Sequence, residues 1–429
     1  QVIALHGGHS YDITAANGAF GTETAPTTFV CTGFTENDTF TLDHSAETLV
    51  RDRVFAGEGT YHLRTGSTAD RLAFGGSFTA DDTVNGGGGQ DTLALNSDFL
   101  VARLNADYTG DNALHFGNQI RSIEILGLKG GYNYDITMAD ANVASGHTMT
   151  IEANGFTIGG GIIDTDNSGF GVHDRLTFDG SAETDGTYII DAGAGRYHLI
   201  AGGGDDTFNF GNKFLSSDRI DGGGGDDVLN VTGNYGSANH HLDFDAALTS
   251  IETLTLGGGH NYQVHMGDAN VAAGQTMTID ASGLQAGDEL TFDGSAETDG
   301  NFLINCGAGA DTIAISAAAP YSTIRGFNFD TDKIQLLGTE SITTVDTVTS
   351  GTVISGTLED DLVALFGTGT ANELGINGAV LFTPDTGDLK DHTFLIIDGD
   401  GVAGYTAGHD YLIDITYTGT MDTTDFIHH

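Results

Sequence analysis

Apolar residues recur every nine positions along two stretches of the chain: Val54, Leu63 and Leu72 in one, Ile190, Leu199 and Phe208 in the other. Leu93 and Leu229 then follow 21 residues after the last member of each series. Between these positions lie short runs rich in β-formers (LTF, YIID, YHLI, DTFNF, DVLNV), separated by clusters of glycine. Such runs predict strands of a few residues joined by tight turns. One strand per nine residues, each sending one apolar side chain inward, is the period of a coiled β-sheet solenoid. Helix is expected at most as short patches at 140–144 and 359–366. The fold class predicted is all-β: parallel β-roll or β-helix segments interleaved with larger β-rich modules.

A longer repeat overlies this rhythm. GGYNYDITMADANVASGHTMTIEANG begins at Gly130 and GGHNYQVHMGDANVAAGQTMTIDASG at Gly258, an offset of 128, and a worn copy, GGHSYDIT, begins at Gly7. The phrase LTFDGSAETDG occurs identically at 176–186 and 290–300, with FTLDHSAET as its relative from Phe40. The expected organisation is three tandem units, 1–123, 124–251 and 252–319, followed by a closing region at 320–429. Aligning Gly7 with Gly130 places Gln1 opposite Glu124, in the middle of a unit. The chain is therefore expected to be a piece of a longer protein, with His428 and His429 additions to the natural sequence.

Charge changes the picture. Sixty acidic residues against 14 lysines and arginines give a formal charge of −46, spread along the whole length, which excludes a nucleic-acid partner. Repulsion on this scale opposes compaction unless cations neutralise it, and hard divalent ions held by carboxylates and carbonyls are the natural counter-charge. Although there are 65 glycines and only three prolines, hydrophobic residues still make up 39% of the chain, enough for a buried core. No apolar run approaches the ~18 residues of a membrane-spanning helix. Cys31 and Cys306 are expected as two buried thiols, not a disulfide framework.

The glycine clusters carry the candidate chemistry. GGGGQDTLA (86–94) and GGGGDDVLN (222–230) fit the nonapeptide G-G-x-G-x-D-x-U-x at every defined position. AGGGDDTFN (201–209) lacks the first glycine, CGAGADTIA (306–314) has Cys306 there, and AGAGRYHLI (192–200) has Tyr197 in place of the aspartate. Glycine permits positive φ and leaves the turn carbonyls unobstructed, while the sixth-position aspartate adds a carboxylate to that cradle. An aspartate merely capping backbone amides is the alternative reading of the same residues.

On these motifs the chain resembles the RTX (repeats-in-toxin) calcium-binding secreted proteins. The resemblance implies several calcium ions between successive turns, held by Gly87, Gly89 and Asp91, by Gly202, Gly204 and Asp206, by Gly223, Gly225 and Asp227, and by Gly307, Gly309 and Asp311. Asp205 and Asp226 are either additional ligands or solvated charge. The segment IRGFNFDTDKIQLLG from Ile324 looks like the one that closes RTX β-rolls, and TFLIIDGDGVAGYTAGHDYLIDITYTG from Thr393 like the strand pair after it. Asp398, Asp400 and Asp410 in that pair are expected either to hold a further ion or to form a plain hairpin turn. The GGxNY…DANV modules match only the general style of large acidic surface-layer and adhesive RTX proteins.

Other constellations are weaker. Asp164, Asp166, Ser168 and Gly169 imitate the start of an EF-hand loop, but Arg175 stands where its bidentate glutamate should be. None of the 16 histidines has zinc-like spacing, and G-x-S-x-G, H-E-x-x-H and P-loop motifs are missing. The expected function is therefore non-enzymatic. It is a calcium-dependent structural, surface-layer or adhesive protein of a Gram-negative bacterium, exported by a type I machine to the outside of the cell, with self-association and a cell-surface glycan as candidate partners. The rival expectations are the calcium-stabilised C-terminal region of an extracellular hydrolase, lyase or epimerase, and a calcium-dependent glycan-binding module.

Overall fold

A computed structural model describes residues 1–20, 25–75, 78–96, 114–155, 169–245, 247–318, 321–337 and 341–428. The chain divides into two compact units, Gln1–Val228 and Leu229–His429, and nearly all regular structure in both is β-strand.

In the first unit the nine-residue rhythm becomes a coil with strands on alternating faces. One face is a parallel sheet through Val2–His6, Thr27–Thr32, Asp52–Ala56, Arg71–Phe74, Thr92–Leu95, Ile125–Leu128, Thr148–Glu152, Thr187–Ala192 and Thr207–Phe210. From the second of these strands onward the register aligns one apolar side chain per strand into a column: Phe29, Val54, Leu72, Leu93, Leu126, Ile151, Ile190 and Phe208. Leu63 and Leu199, the middle members of the two sequence series, lie on the other face. Leu63 is in the parallel run Tyr11–Thr14, Thr39–Asp43, Thr60–Arg64, Thr83–Asn85 and Ile120–Arg121. Leu199 is in Leu114–Phe116, Asn133–Met138, Arg175–Asp179, Arg196–Ile200 and Arg219–Asp221. All these inward side chains are buried, each contributing about 2 kcal/mol by leaving water.

The second unit repeats the plan. Thr253–Leu256, Thr276–Asp280, Asn301–Asn305, Ser322–Asn328 and Tyr411–Thr418 run parallel. Opposite them run Leu242–Asp243, Tyr262–His265, Leu290–Gly294, Thr312–Ile315, Lys333–Leu336 and Phe426–His428. Here the coil is closed by a different pairing: Tyr411–Thr418 lies antiparallel to Phe394–Ile397, and that strand antiparallel to Gly378–Phe382. The pair expected from Thr393 onward is thus a hairpin. The patch at 359–366 is the helix Leu358–Phe366, whose Leu358, Leu362 and Phe366 are spaced four apart and pack with Phe382 and Phe394. The patch at 140–144 is reduced to a single 3-10 turn, Asp140–Asn142, with a twin at Asp268–Asn270. Cys31 and Cys306 are free and buried.

Candidate cation-binding turns

The polypeptide enters many of the strands through an aspartate two residues before the inward apolar side chain, among them Asp52, Asp70, Asp82, Asp91, Asp206, Asp218, Asp227, Asp311 and Asp332. Carboxylates of one rung accept backbone N–H groups from the neighbouring rung. The N–H of Asp52 donates to Asp70 Oδ1 and that of Asp70 to Asp91 Oδ1, each at 2.7 Å, and the N–H of Asp91 donates to Glu124 Oε2. Around the second perfect nonapeptide the N–H of Tyr188 donates to Asp206 Oδ1 and that of Asp206 to Asp227 Oδ1. In the second unit the N–H of Leu290 donates to Asp311 Oδ1 and that of Asp311 to Asp332 Oδ1. Asp91, Asp206, Asp227 and Asp311 are all buried, at 0 or 1% exposure. Amide capping is therefore part of what these carboxylates do.

It does not satisfy them fully. Asp82, Asp218 and Asp332 enter their strands from longer loops, and there the second oxygen accepts an N–H of the same loop, from Thr79, Leu215 and Asn328. At the tight turns this second bond is weak or missing. The Oδ2 atoms of Asp70, Asp91 and Asp311 are buried without a hydrogen-bond partner. Asp206 is intermediate, its Oδ2 accepting from Gly202 N–H at 3.1 Å. Burial pushes Asp91 up to about 8, with the charges of Asp70 and Glu124 adding to it. Burial likewise raises Asp70, Asp206 and Asp311 to about 6. A buried carboxylate oxygen with no donor is costly, and a proton or a cation relieves that cost. Oxygen-only donors of this kind suit a hard divalent ion.

The glycines differ in which property the fold uses. Gly87, Gly89, Gly223 and Gly225 have positive φ, between +85° and +124°. Gly202, Gly204, Gly307 and Gly309 do not adopt it; there the requirement is close stacking of turn upon turn. A Cβ on Gly204 would lie 2.1 Å from the Gly186 carbonyl oxygen, and one on Gly309 1.8 Å from that of Asp288. The worn copy at 201–206 stacks directly on the perfect one at 222–227, Gly224 N–H donating to the Gly202 carbonyl. The perfect copy at 86–91 instead stacks on Thr65–Asp70, a turn the nonapeptide pattern does not recognise, Gly88 N–H donating to Gly66 O. Asp205 and Asp226 are exposed, with Asp226 N–H donating to Asp205 Oδ1.

Three acidic groups each bring one carboxylate oxygen per residue within 4.8 Å of the others, and each group can hold a metal ion. One is the expected trio Asp398, Asp400 and Asp410. It is fixed by backbone donors: Gly401 N–H and Asn377 N–H to Asp398, Val402 N–H to Asp400, Gly399 N–H and Thr406 N–H to Asp410. Burial, reinforced by Asp400 and Asp398, raises Asp410 to about 6. The other two, Asp140 with Glu183 and Asp185 and Asp268 with Glu297 and Asp299, lie outside every glycine motif and were missed in the sequence. The signals for them were the repetition of DANV, which opens with Asp140 and Asp268, and of SAETDG, which holds the other four acids. No histidine belongs to any of the three groups, which were sought among the described residues. Of the EF-hand-like stretch, Asp164, Asp166 and Ser168 lie outside the described residues, and Arg175 opens the strand Arg175–Asp179. No helix among the described residues is long and apolar enough to cross a membrane. Compared with known protein families, curated proteins and solved structures, the chain matches none.

Proposed function

We propose that this chain is a calcium-stabilised structural protein of the extracellular or cell-surface kind, in which ions seated among the stacked turns hold a repetitive β-coil together. The observation that carries this reading is the set of buried, donor-less carboxylate oxygens at Asp70, Asp91 and Asp311. In a chain of formal charge −46, such atoms, once ionised, favour folding where a cation is abundant, and calcium is abundant outside cells. Gly87, Gly89 and Asp91, with Asp70 and Glu124, would hold one ion. Gly202, Gly204, Asp206, Gly223, Gly225 and Asp227 would hold another between two stacked turns, and Gly307, Gly309 and Asp311 a third. Bound calcium would supply the positive charge that the turn amides cannot.

A structural role is supported by repetition: the acids recur with the units, as scaffold residues do, and the same edges and faces are presented again and again. Bound ions lower the repulsion between acidic copies and can bridge them. The test is light scattering and electron microscopy of the purified chain over a calcium titration, with magnesium in parallel. Ordered sheets or filaments that form with calcium and not with magnesium support the reading, since magnesium holds its waters and demands octahedral geometry. A chain that stays monomeric at every calcium concentration counts against the coat-forming role and favours a stabilising appendage of an extracellular enzyme.

A further inference from the structure

We propose that the chain carries a second, glycine-independent type of cation site, built twice: once from Asp140, Glu183 and Asp185, and once from Asp268, Glu297 and Asp299. It does not depend on the ladder of turn aspartates described above.

Each site joins two segments distant in sequence. The 3-10 turn that presents Asp140 is anchored by Asn142, which accepts from Ala139 N–H through Oδ1 and donates to the Gly117 and Ile120 carbonyls. Asn270 anchors the turn presenting Asp268 in the same manner, to Gly267, Phe244 and Leu248. The aspartate then caps the opposing turn: Asp140 Oδ1 accepts from Thr184 N–H and Oγ, and Asp268 Oδ1 from Thr298 N–H and Oγ. From that opposing turn comes the buried acid. Glu183 Oε1 accepts from the N–H groups of Thr184, Asp185 and Gly186, and Glu297 Oε1 from those of Thr298, Asp299 and Gly300.

Exposed aspartates beside a glutamate would carry no ion by themselves. Here the glutamates are only 1% exposed, and the Oε2 atoms of both Glu183 and Glu297 are buried with no hydrogen-bond partner. Each trio gathers its oxygens within 4.8 Å, about the diameter of a shell of ligands ~2.4 Å from a calcium-sized ion. Three carboxylates and no nitrogen or sulfur donor select a hard cation.

The first sequence repeat, 1–123, supplies an internal control. Its equivalents of Asp140, Glu183 and Asp185 are Asn17, Glu47 and Leu49, so two of the three charges are gone. Asn17 keeps the cap, accepting from Thr48 N–H and donating to Thr48 Oγ. Glu47 Oε1 keeps its three amides, from Thr48, Leu49 and Val50. The second oxygen, however, is now occupied: Glu47 Oε2 accepts from Gly18 N–H at 2.7 Å and lies 3.5 Å from His44 Nε2. His44 stands where the other two copies have Gly180 and Gly294. Where the aspartates are lost, the unsatisfied oxygen is lost with them. That coupling is expected if the aspartates and the open oxygen serve one ligand, and has no reason to exist if they are solvated charge.

The experiment is a long-wavelength anomalous difference map from crystals of the full chain grown in calcium, which reads every site separately. Peaks are expected at both trios, and no peak at Asn17, Glu47 and Leu49. In solution, Asp140→Asn with Asp185→Asn should remove about one bound ion per chain, and Asp268→Asn with Asp299→Asn about one more. The asparagines at 140 and 268 retain the cap, as Asn17 does. Empty trios would overturn the proposal whether or not peaks appear at Asp91, Asp206, Asp227 or Asp311, and so would a peak at the Asn17 position. Peaks at the trios with none along the turn ladder would uphold this proposal and refute the ladder.

Discussion

The backbone N–H of Asp206 donates to Oδ1 of Asp227, 2.7 Å away, so the strand-entry aspartate of one rung is fixed by the carboxylate of the next. The same link joins Asp70 to Asp91 and Asp311 to Asp332. It makes a line of buried carboxylates part of the backbone hydrogen bonding, and ties the stability of each turn to the ionisation of its neighbour.

Asp227→Ala removes the acceptor for Asp206 N–H and should destabilise the chain by about 1–3 kcal/mol without calcium, and by more with it. Asp227→Asn retains an acceptor and removes the charge. It should cost little in chelator while losing much of the stabilisation that calcium adds. Asp81→Ala, on an exposed side chain beside a buried ladder member, should change neither. Urea titrations of the three variants with and without calcium check this; equal effects of Asp227→Asn and Asp81→Ala would mean that Asp227 is a cap only.

The sign of the pH dependence follows from burial. An unfolded aspartate titrates at about 3.9, whereas Asp70, Asp206 and Asp311 are raised to about 6 and Asp91 to about 8. With the folded value above the unfolded one, the folded state holds the extra protons. The stability these groups contribute is complete below the unfolded value and is lost as pH rises from about 4 to 8. In chelator, melting temperature should therefore fall between pH 5 and pH 8. Calcium binds the ionised form and should abolish or reverse that slope. A melting temperature that rises with pH in chelator would contradict this.

In the first sequence repeat, 1–123, His44 and Asp52 replace the glycine and aromatic residue found at Gly180 and Tyr188, and at Gly294 and Phe302. His44 Nδ1 lies 2.7 Å from Asp52 Oδ2, with both side chains fully buried. Burial alone would lower the imidazole, but the hydrogen bond it donates to Asp52 and the nearby carboxylates outweigh that and leave His44 raised. His44→Gly strands two buried acids and should cost about 3 kcal/mol. Adding Asp52→Tyr restores the arrangement of the second copy and should recover part of that loss. A double-mutant cycle in chelator measures the coupling; strict additivity would show that the pair does not act as a unit.

Much of the coil was legible because its signal is periodic. The nine-residue apolar rhythm identified Val54, Leu63 and Leu72 as core positions, and the strand pair and helix of the closing region lay near where they were expected. The ladder was only half legible. Reading glycine turns singled out Asp91, Asp206, Asp227 and Asp311 but passed over Asp52, Asp70, Asp82, Asp218 and Asp332, which enter their strands in the same way without the glycines. The common signal is an aspartate two residues before an inward apolar side chain, as in Asp70–Leu72 and Asp218–Ile220. The trios at Glu183 and Glu297 were beyond a linear reading, because Asp140 reaches its partner across 44 residues and that approach is set by the stacking of rungs.

The central claim, that calcium completes a buried carboxylate ladder, is tested most directly by thermal unfolding of the full chain followed by circular dichroism, in excess chelator and then in millimolar calcium. Because an ion that binds only the folded state stabilises it by mass action, calcium should raise the midpoint by ten degrees or more, on the order of the several kcal/mol that ligands far above their dissociation constants supply. The same β spectrum and an unchanged midpoint in chelator and calcium would contradict it.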